Sequence, residues 1–117
     1  MERGGFVYIL SGKGKGKRLY TGVTTELQIR VAQHKTKTNP DSFTARYNID
    51  RLVYYESFGT IAEAINREAT IKNMHRLQKI QLIVSVNPDW QDLSEAWNQP
   101  TRPFEESHLR PPTKFQF

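Results

Sequence analysis

Phe6–Ser11 (FVYILS), Gly12–Lys17 (GKGKGK) and Arg18–Val23 (RLYTGV) follow one another without interruption near the start of the chain. The first and third pieces are short, apolar and rich in aromatic or β-branched residues, so each reads as a strand. The piece between them alternates glycine with lysine, a composition that turns a chain and cannot pack a core. Together they predict a β-hairpin with a basic loop at its tip. The loop is not a Walker A cradle, because it lacks the G-x-x-x-x-G-K-[ST] spacing and does not open a helix. Its plain reading is a solvated turn. The sharper reading is an arm that touches a nucleic-acid backbone through Lys13, Lys15 and Lys17.

Outward from the hairpin, Thr25-Glu26-Leu27-Gln28 has the form of a capping box and predicts a helix to about Lys37. Leu27 and Val31 face its core side, while Arg30 and His34 share a neighbouring stripe one turn apart. Thr38 to Asp50 reads as a polar connection. Arg51–Phe58 (RLVYYESF) is the clearest strand, and its continuous apolar run predicts a central position buried on both faces. Thr60-Ile61-Ala62-Glu63 is a second capping box and starts a helix to about Asn73, with Ile61, Ile65 and Ala69 as its apolar stripe and Glu68 at the margin. A third amphipathic segment runs from Arg76 to Val86 with Leu77, Ile80, Ile83 and Val84 inward, and Asn87-Pro88 ends it. Trp90, Leu93 and Trp97 add a packing segment. The order ββαβαα predicts an α/β (α+β) sandwich with a three-stranded, mainly antiparallel sheet flanked by helices. Residues 1–97 form the expected domain, and the proline-rich residues 98–117 the expected loosely ordered tail.

The 117 residues suffice for one domain with a modest core. No apolar run approaches the roughly 20 residues of a membrane span. Met1–Gly5 carries no signal-like apolar stretch, so a cytoplasmic protein is expected. The absence of cysteine excludes disulfides and cysteine-ligated metals. The net charge of +5 is uneven: residues 1–84 hold 14 Lys/Arg against 7 Asp/Glu, and residues 85–117 hold 3 against 5. A basic surplus over the structured region suits a polyanionic partner through counterion release.

Tyr8, Tyr20, Arg30, His34 and Glu68 form a constellation that could carry chemistry, although each alone has an ordinary structural explanation. Phosphodiester hydrolysis needs charge stabilisation on phosphoryl oxygens, a positioned water and a proton acceptor. A carboxylate can hold a divalent metal, an arginine can fork onto phosphate, and a tyrosine serves as base only if its pKa is lowered.

Val7-Tyr8-Ile9 followed by Tyr20-Thr21-Gly22 resembles the paired elements of the GIY-YIG nuclease superfamily. Arg30 and His34 fall at the spacing of that family's arginine and its following histidine or tyrosine, and Arg67-Glu68 resembles the segment with its metal-binding glutamate. The likeness continues through Leu52-Val53-Tyr54-Tyr55-Glu56, Glu68-Ala69-Thr70-Ile71-Lys72 and Asn87-Pro88-Asp89-Trp90-Gln91-Asp92-Leu93. It extends to a subgroup of small, stand-alone bacterial members often labelled endonucleases.

The resemblance implies a metal-dependent endonuclease acting on DNA, ahead of RNA, with branched or damaged forms among its substrates. The alternative is a non-cleaving nucleic-acid binding module that keeps the fold. Glu68 would hold one Mg²⁺ or Mn²⁺ and Arg30 would stabilise the attacked phosphate. Tyr8 and Tyr20 would orient or deprotonate water, either being the base, and His34 would assist by hydrogen bond or proton transfer. Gly22 would let the chain turn close to the site, and Lys35 and Lys72 join the hairpin lysines as phosphate contacts. Val23 stands where DNA-repair relatives carry a lysine, which removes a cation that would lower a tyrosine pKa. Many relatives carry a recognition or partner domain, so a protein partner supplying specificity is expected here.

Overall fold

The computed structural model describes residues 4–13 and 17–98. Strands β1 (Gly5–Ser11) and β2 (Leu19–Thr24) form the predicted hairpin, antiparallel with Tyr8 opposite Gly22 and Leu10 opposite Tyr20. The Gly12 amide donates to the Arg18 carbonyl at 3.1 Å, closing the base of the loop. Strand β3 (Arg51–Phe58) pairs antiparallel with the other side of β1, giving the sheet order β2-β1-β3. Helices α1 (Leu27–Lys35), α2 (Phe43–Arg46), α3 (Ile61–Lys72) and α4 (Arg76–Val86) and a 3₁₀ segment (Leu93–Asn98) complete the described chain. The mixed α/β architecture around a three-stranded antiparallel sheet is the expected one.

The central strand is β1, whereas the sequence pattern pointed to β3. In β1 the alternation of side chains sends Val7 and Ile9 to one face and Tyr8 and Leu10 to the other, and all four are buried. Two cores result. Val7 and Ile9 pack with Val53, Tyr54, Ala64, Ile71 and Ile83 under α3 and α4. Tyr8 and Leu10 pack with Leu27, Val31, Ile49 and Leu52 beneath α1. Burying each large apolar side chain contributes about 1.5–3 kcal/mol before entropy is counted. The apolar run in β3 has a different cause: Ile9 pairs with Tyr54 and Leu10 with Leu52, so Val53 is the extra residue of a β-bulge. The bulge puts Val53 and Tyr54, neighbours in sequence, into the same core.

The predicted Thr60 capping box forms: the Thr60 hydroxyl accepts from the Glu63 amide, and the Glu63 carboxylate accepts from the Thr60 amide, each at 3.2 Å. The Thr25 box does not form. Helix α1 starts after Glu26, whose amide donates instead to the Thr24 hydroxyl at 3.0 Å. The inward stripe of α3 also differs from the expectation. Ala64 and Ile71 are buried with Ile61 partly so, while Ile65 is 48% exposed. Positions 61, 64, 68 and 71 are one helical stripe, which turns Glu68 toward the sheet rather than to the margin. In α4 Ile83 is buried, but Leu77 and Val84 point outward. The polar connection contains α2, capped by the Ser42 hydroxyl accepting from the Ala45 amide at 3.2 Å.

Side-chain latches hold the last segment. Asp92 accepts from Lys35 Nζ at 2.5 Å, from the Ser94 amide at 3.0 Å and from the Ser94 hydroxyl at 2.6 Å. Asn87 donates to the Val53 carbonyl at 3.0 Å, fixing the end of α4 to β3. The tail expected over residues 98–117 lies, from residue 99 on, outside the described residues. Among the described residues no helix is long and apolar enough to cross a membrane.

Candidate functional site

The site grows from the β1–β2 register. Tyr8 stands opposite Gly22, with Tyr20 two residues along β2 on the same face. The ring of Tyr8 occupies the space that a side chain at 22 would fill: a Cβ there would lie 2.5 Å from Tyr8 Cζ and from its hydroxyl. Gly22 therefore sits inside a strand as a missing side chain, rather than serving as the turn residue expected from the sequence. Across the same face, α1 buries Leu27, Val31 and His34 at helical spacing. His34 lies with its ring centroid 5.5 Å from Tyr20 and 5.9 Å from Tyr8, and the two tyrosines are 6.3 Å apart.

His34 is held from both sides. Its Nε2 is hydrogen-bonded to the Tyr8 hydroxyl at 3.1 Å and its Nδ1 to the Thr44 hydroxyl at 2.9 Å. Two proton arrangements satisfy this chain, with either ring nitrogen carrying the proton of the neutral imidazole. Burial and, second, the neighbouring Arg30 guanidinium push the His34 pKa down to about 4. Burial pushes the Tyr8 hydroxyl up to about 12, and Tyr20 adds to the shift. Arg30 opposes it by hydrogen bond and charge, while Glu68 reinforces it weakly. Tyr20, Arg30 and Glu68 thus each act on Tyr8, and Arg30 acts on His34. Arg30 is exposed, its Nη1 donating to Gln33 Oε1 at 3.0 Å.

Glu68 reaches this neighbourhood from α3 with its side chain 18% exposed, paired to Lys72 Nζ at 3.2 Å. It is the carboxylate of the constellation. Glu56 is committed elsewhere, accepting from Arg67 Nε and Nη2 at 3.0 Å each and from the Tyr54 hydroxyl. Among the described residues no three His, Cys, Asp or Glu side chains converge as a metal cage. One carboxylate still fits a divalent hard cation that keeps waters and takes phosphate oxygens as further ligands. Lys72, 56% exposed, is the cation such an ion would displace from Glu68.

The other lysines named from sequence are dispersed. Lys17 lies 4.4 Å over the Trp90 ring, Lys35 is tied to Asp92 and to the Asp50 carbonyl at 2.8 Å, and Lys13 is exposed at the hairpin. Lys15 is outside the described residues.

A hollow of about 250 Å³ opens over three of the five, Tyr20, Arg30 and His34, with Gln33, Lys37, Phe43 and Thr44 among its other walls, while Tyr8 and Glu68 do not line it. Four of these, Gln33, Lys37, Phe43 and Thr44, escaped the sequence reading. Lys37 is held at φ 54°, the left-handed conformation that ends α1. There the Thr38 amide donates to the Gln33 carbonyl at 3.0 Å and the Lys37 amide to the His34 carbonyl at 3.2 Å, a Schellman closure normally given to glycine. Ser42-Phe43-Thr44, a capping serine before a short helix, was the one signal that could have located Thr44.

A family model described as the GIY-YIG catalytic domain matches residues 4–81. Among curated proteins, the UPF0213 protein SH2523 of Staphylococcus haemolyticus is 39% identical over 82 residues, covering 67% of this chain and 92% of its own. The UPF0213 protein CPE1444 of Clostridium perfringens is 41% identical over 80 residues, covering 68% and 83%. The solution structure of the UPF0213 protein BH0048 from Bacillus halodurans is 27% identical, with a TM-score of 0.49, over 79% of this chain and 95% of that one. By the extent of the model match and of the two sequence relatives, this chain belongs to the GIY-YIG family, alongside proteins designated UPF0213.

Proposed function

We propose that this domain binds nucleic acid by seating a backbone phosphate in the hollow between Tyr20, Arg30 and His34. The observation that carries this reading is the convergence of a guanidinium, a phenol and a buried imidazole on one concave surface of about 250 Å³, with Lys37 on its rim. Arg30 presents a permanent charge and a planar fork suited to phosphate oxygens. The basic balance of residues 1–84 extends the favourable field beyond the hollow, so binding weakens steeply as salt rises. DNA is the leading partner, with RNA second.

Cleavage is the second reading, and what supports it is the position of Glu68, a partly buried carboxylate on α3 whose charge acts on Tyr8 from outside the wall of the hollow. In that reading Glu68 holds Mg²⁺ or Mn²⁺, which when bound supplies Lewis-acid stabilisation of phosphoryl charge. Arg30 takes up charge on the attacked phosphate. Tyr8 and His34, already hydrogen-bonded, form a path along which a proton from water leaves the reacting centre. In the free protein neither Tyr8, near 12, nor His34, near 4, is tuned to accept a proton at neutral pH, which is why binding leads. A protein partner that supplies specificity belongs to this second reading.

Labelled single-stranded, duplex and branched DNA, incubated with the protein and Mg²⁺ or Mn²⁺, separates the two. Binding without cutting on all substrates supports the module. Metal-dependent cutting lost in Glu68→Ala and Arg30→Ala, with Glu68→Ala still binding, establishes the nuclease. Neither binding nor cutting would sink both.

A further inference from the structure

Two large rings beside the hollow belong to neither core. Phe43, the first residue of α2, is 46% exposed and Tyr47, one turn on, is 42% exposed, with ring centroids 5.0 Å apart. Their positions are set locally: Ser42 caps α2 at one end, and Asn48 turns the chain at φ 55° past the other. The Arg18 guanidinium lies 4.0 Å over the Tyr47 ring, joining the hairpin to this pair. Phe43 is in the wall of the hollow that holds Arg30 and His34. Tyr47 is in the wall of a second hollow of about 610 Å³, whose cations are Lys13, Lys17, Arg18 and Lys37. Lys37 lines both hollows, so the two rings stand between two cation-bearing surfaces, the second with four cations against the single carboxylate of Asp50.

This is the layout of a strand-tracking groove, in which charges follow the backbone and exposed rings take base faces between them. The two rings are tilted 54° to each other, so from this layout we infer that they receive an unpaired nucleobase with one ring stacked on its face and the other against its edge, on the same strand whose phosphate occupies the Arg30 hollow. The inference rests on the proposed nucleic-acid binding. The adjacent backbone runs over Arg18 and the base of the GKGKGK loop, and Arg18 adds a cation–π contact to the stack. A duplex hides its base faces and pays unstacking energy to present one, whereas a single strand, a flap or a loop presents one at little cost. The occupant is therefore nucleic acid with an unpaired base, and the exposed half of each ring is its docking surface.

The test is fluorescence anisotropy of a labelled single-stranded DNA 12-mer, the matching RNA 12-mer and the DNA duplex, with the full-length protein, at fixed low salt. A 2-aminopurine version of each strand reports stacking by its quenching. The variants are Phe43→Ala, Phe43→Leu and Tyr47→Leu, each checked for an unchanged melting curve. Leucine keeps apolar volume and removes the ring, so Phe43→Leu remains informative if Phe43→Ala folds poorly. We expect wild type to prefer the single strands and to quench 2-aminopurine. Each ring removal should weaken strand binding about 5- to 100-fold and leave the duplex within about twofold. DNA and RNA arms that behave alike assign the site to any unpaired base, and a difference assigns the sugar; both sustain the stacking. If wild type binds strand and duplex equally and the variants change neither, the stacking platform is wrong while nucleic-acid binding stands. If wild type binds none of the three, the phosphate-binding reading falls and this inference falls with it.

Discussion

Replacing Gly22 with alanine tests the packing on which the whole site rests. The added methyl would lie 2.5 Å from Tyr8 Cζ and hydroxyl and 2.9 Å from Cε1. Ordinary carbon contacts begin about 1 Å further out, so the ring must withdraw by about that distance. Tyr8 is 1% exposed and has little room to do so, and its hydroxyl is 3.1 Å from His34 Nε2. Overpacking a filled core costs about 1–3 kcal/mol. Pulling the hydroxyl out of range strands a buried polar partner, at about 1–3 kcal/mol more. The restricted unfolded chain returns about 0.4–1 kcal/mol. The net loss is about 1–5 kcal/mol, centred near 3, which at its centre lowers the melting temperature of a domain of this size by about 10–20 °C. Gly59→Ala is the control, since a Cβ there meets only Glu63 Oε1 at 3.8 Å. Thermal melts followed by circular dichroism should show Gly59→Ala near wild type and Gly22→Ala well below it. In a Tyr8→Leu background much of the Gly22→Ala penalty should vanish. If Gly22→Ala melts within about 2 °C of wild type, the claim that this glycine makes room for Tyr8 is refuted.

Acid stability should report His34. Its folded pKa, about 4, lies below its ordinary 6.5, so the unfolded chain binds the proton more readily. The associated stability is present above about pH 6.5 and is lost as pH falls toward 4, by on the order of 3 kcal/mol, visible as a falling urea midpoint. His34→Gln should flatten that slope. Lys37→Gly should raise stability by about 0.5–1 kcal/mol, because glycine adopts the left-handed conformation without strain. The same variant should weaken nucleic-acid binding by removing a cation from the rim of the hollow, so melting and anisotropy should move in opposite senses. Asp92→Ala should cost about 2–3 kcal/mol by leaving Lys35 only its Asp50 carbonyl and by freeing the Ser94 turn, measured as a shifted urea midpoint with an unchanged m-value.

The sequence made the hairpin legible because strand residues and turn residues are cleanly separated in residues 6–23. It also revealed the start of α3, where the Thr60–Glu63 cap is local chemistry. The grouping of Tyr8, Tyr20, Arg30, His34 and Glu68 was legible only as a combination with fixed spacing, since each residue type is ordinary alone. What escaped depends on tertiary context. The apolar run of β3 reflects a bulge at Val53, which only the pairing with β1 reveals. Hydrophobicity alone puts the stripe of α3 through Ile65, because isoleucine outweighs alanine. The sheet instead needs the small Ala64 at close approach, and that choice carries Glu68 inward. The role of Gly22 belongs to a ring on another strand. Helix α2 is only four residues long, too short for periodicity to register, so the places of Thr44 and Phe43 are not legible in the sequence.

The most direct test of the central claim is the salt dependence of binding to a labelled DNA strand, measured for wild type and Arg30→Ala between about 50 and 200 mM salt. The account predicts tight binding at low salt that falls log-linearly as salt rises. Arg30→Ala should bind more weakly, with a slope reduced by about one counterion. Binding that is absent at low salt, or that has the same affinity and slope without Arg30, would contradict the assignment of this hollow to a nucleic-acid phosphate.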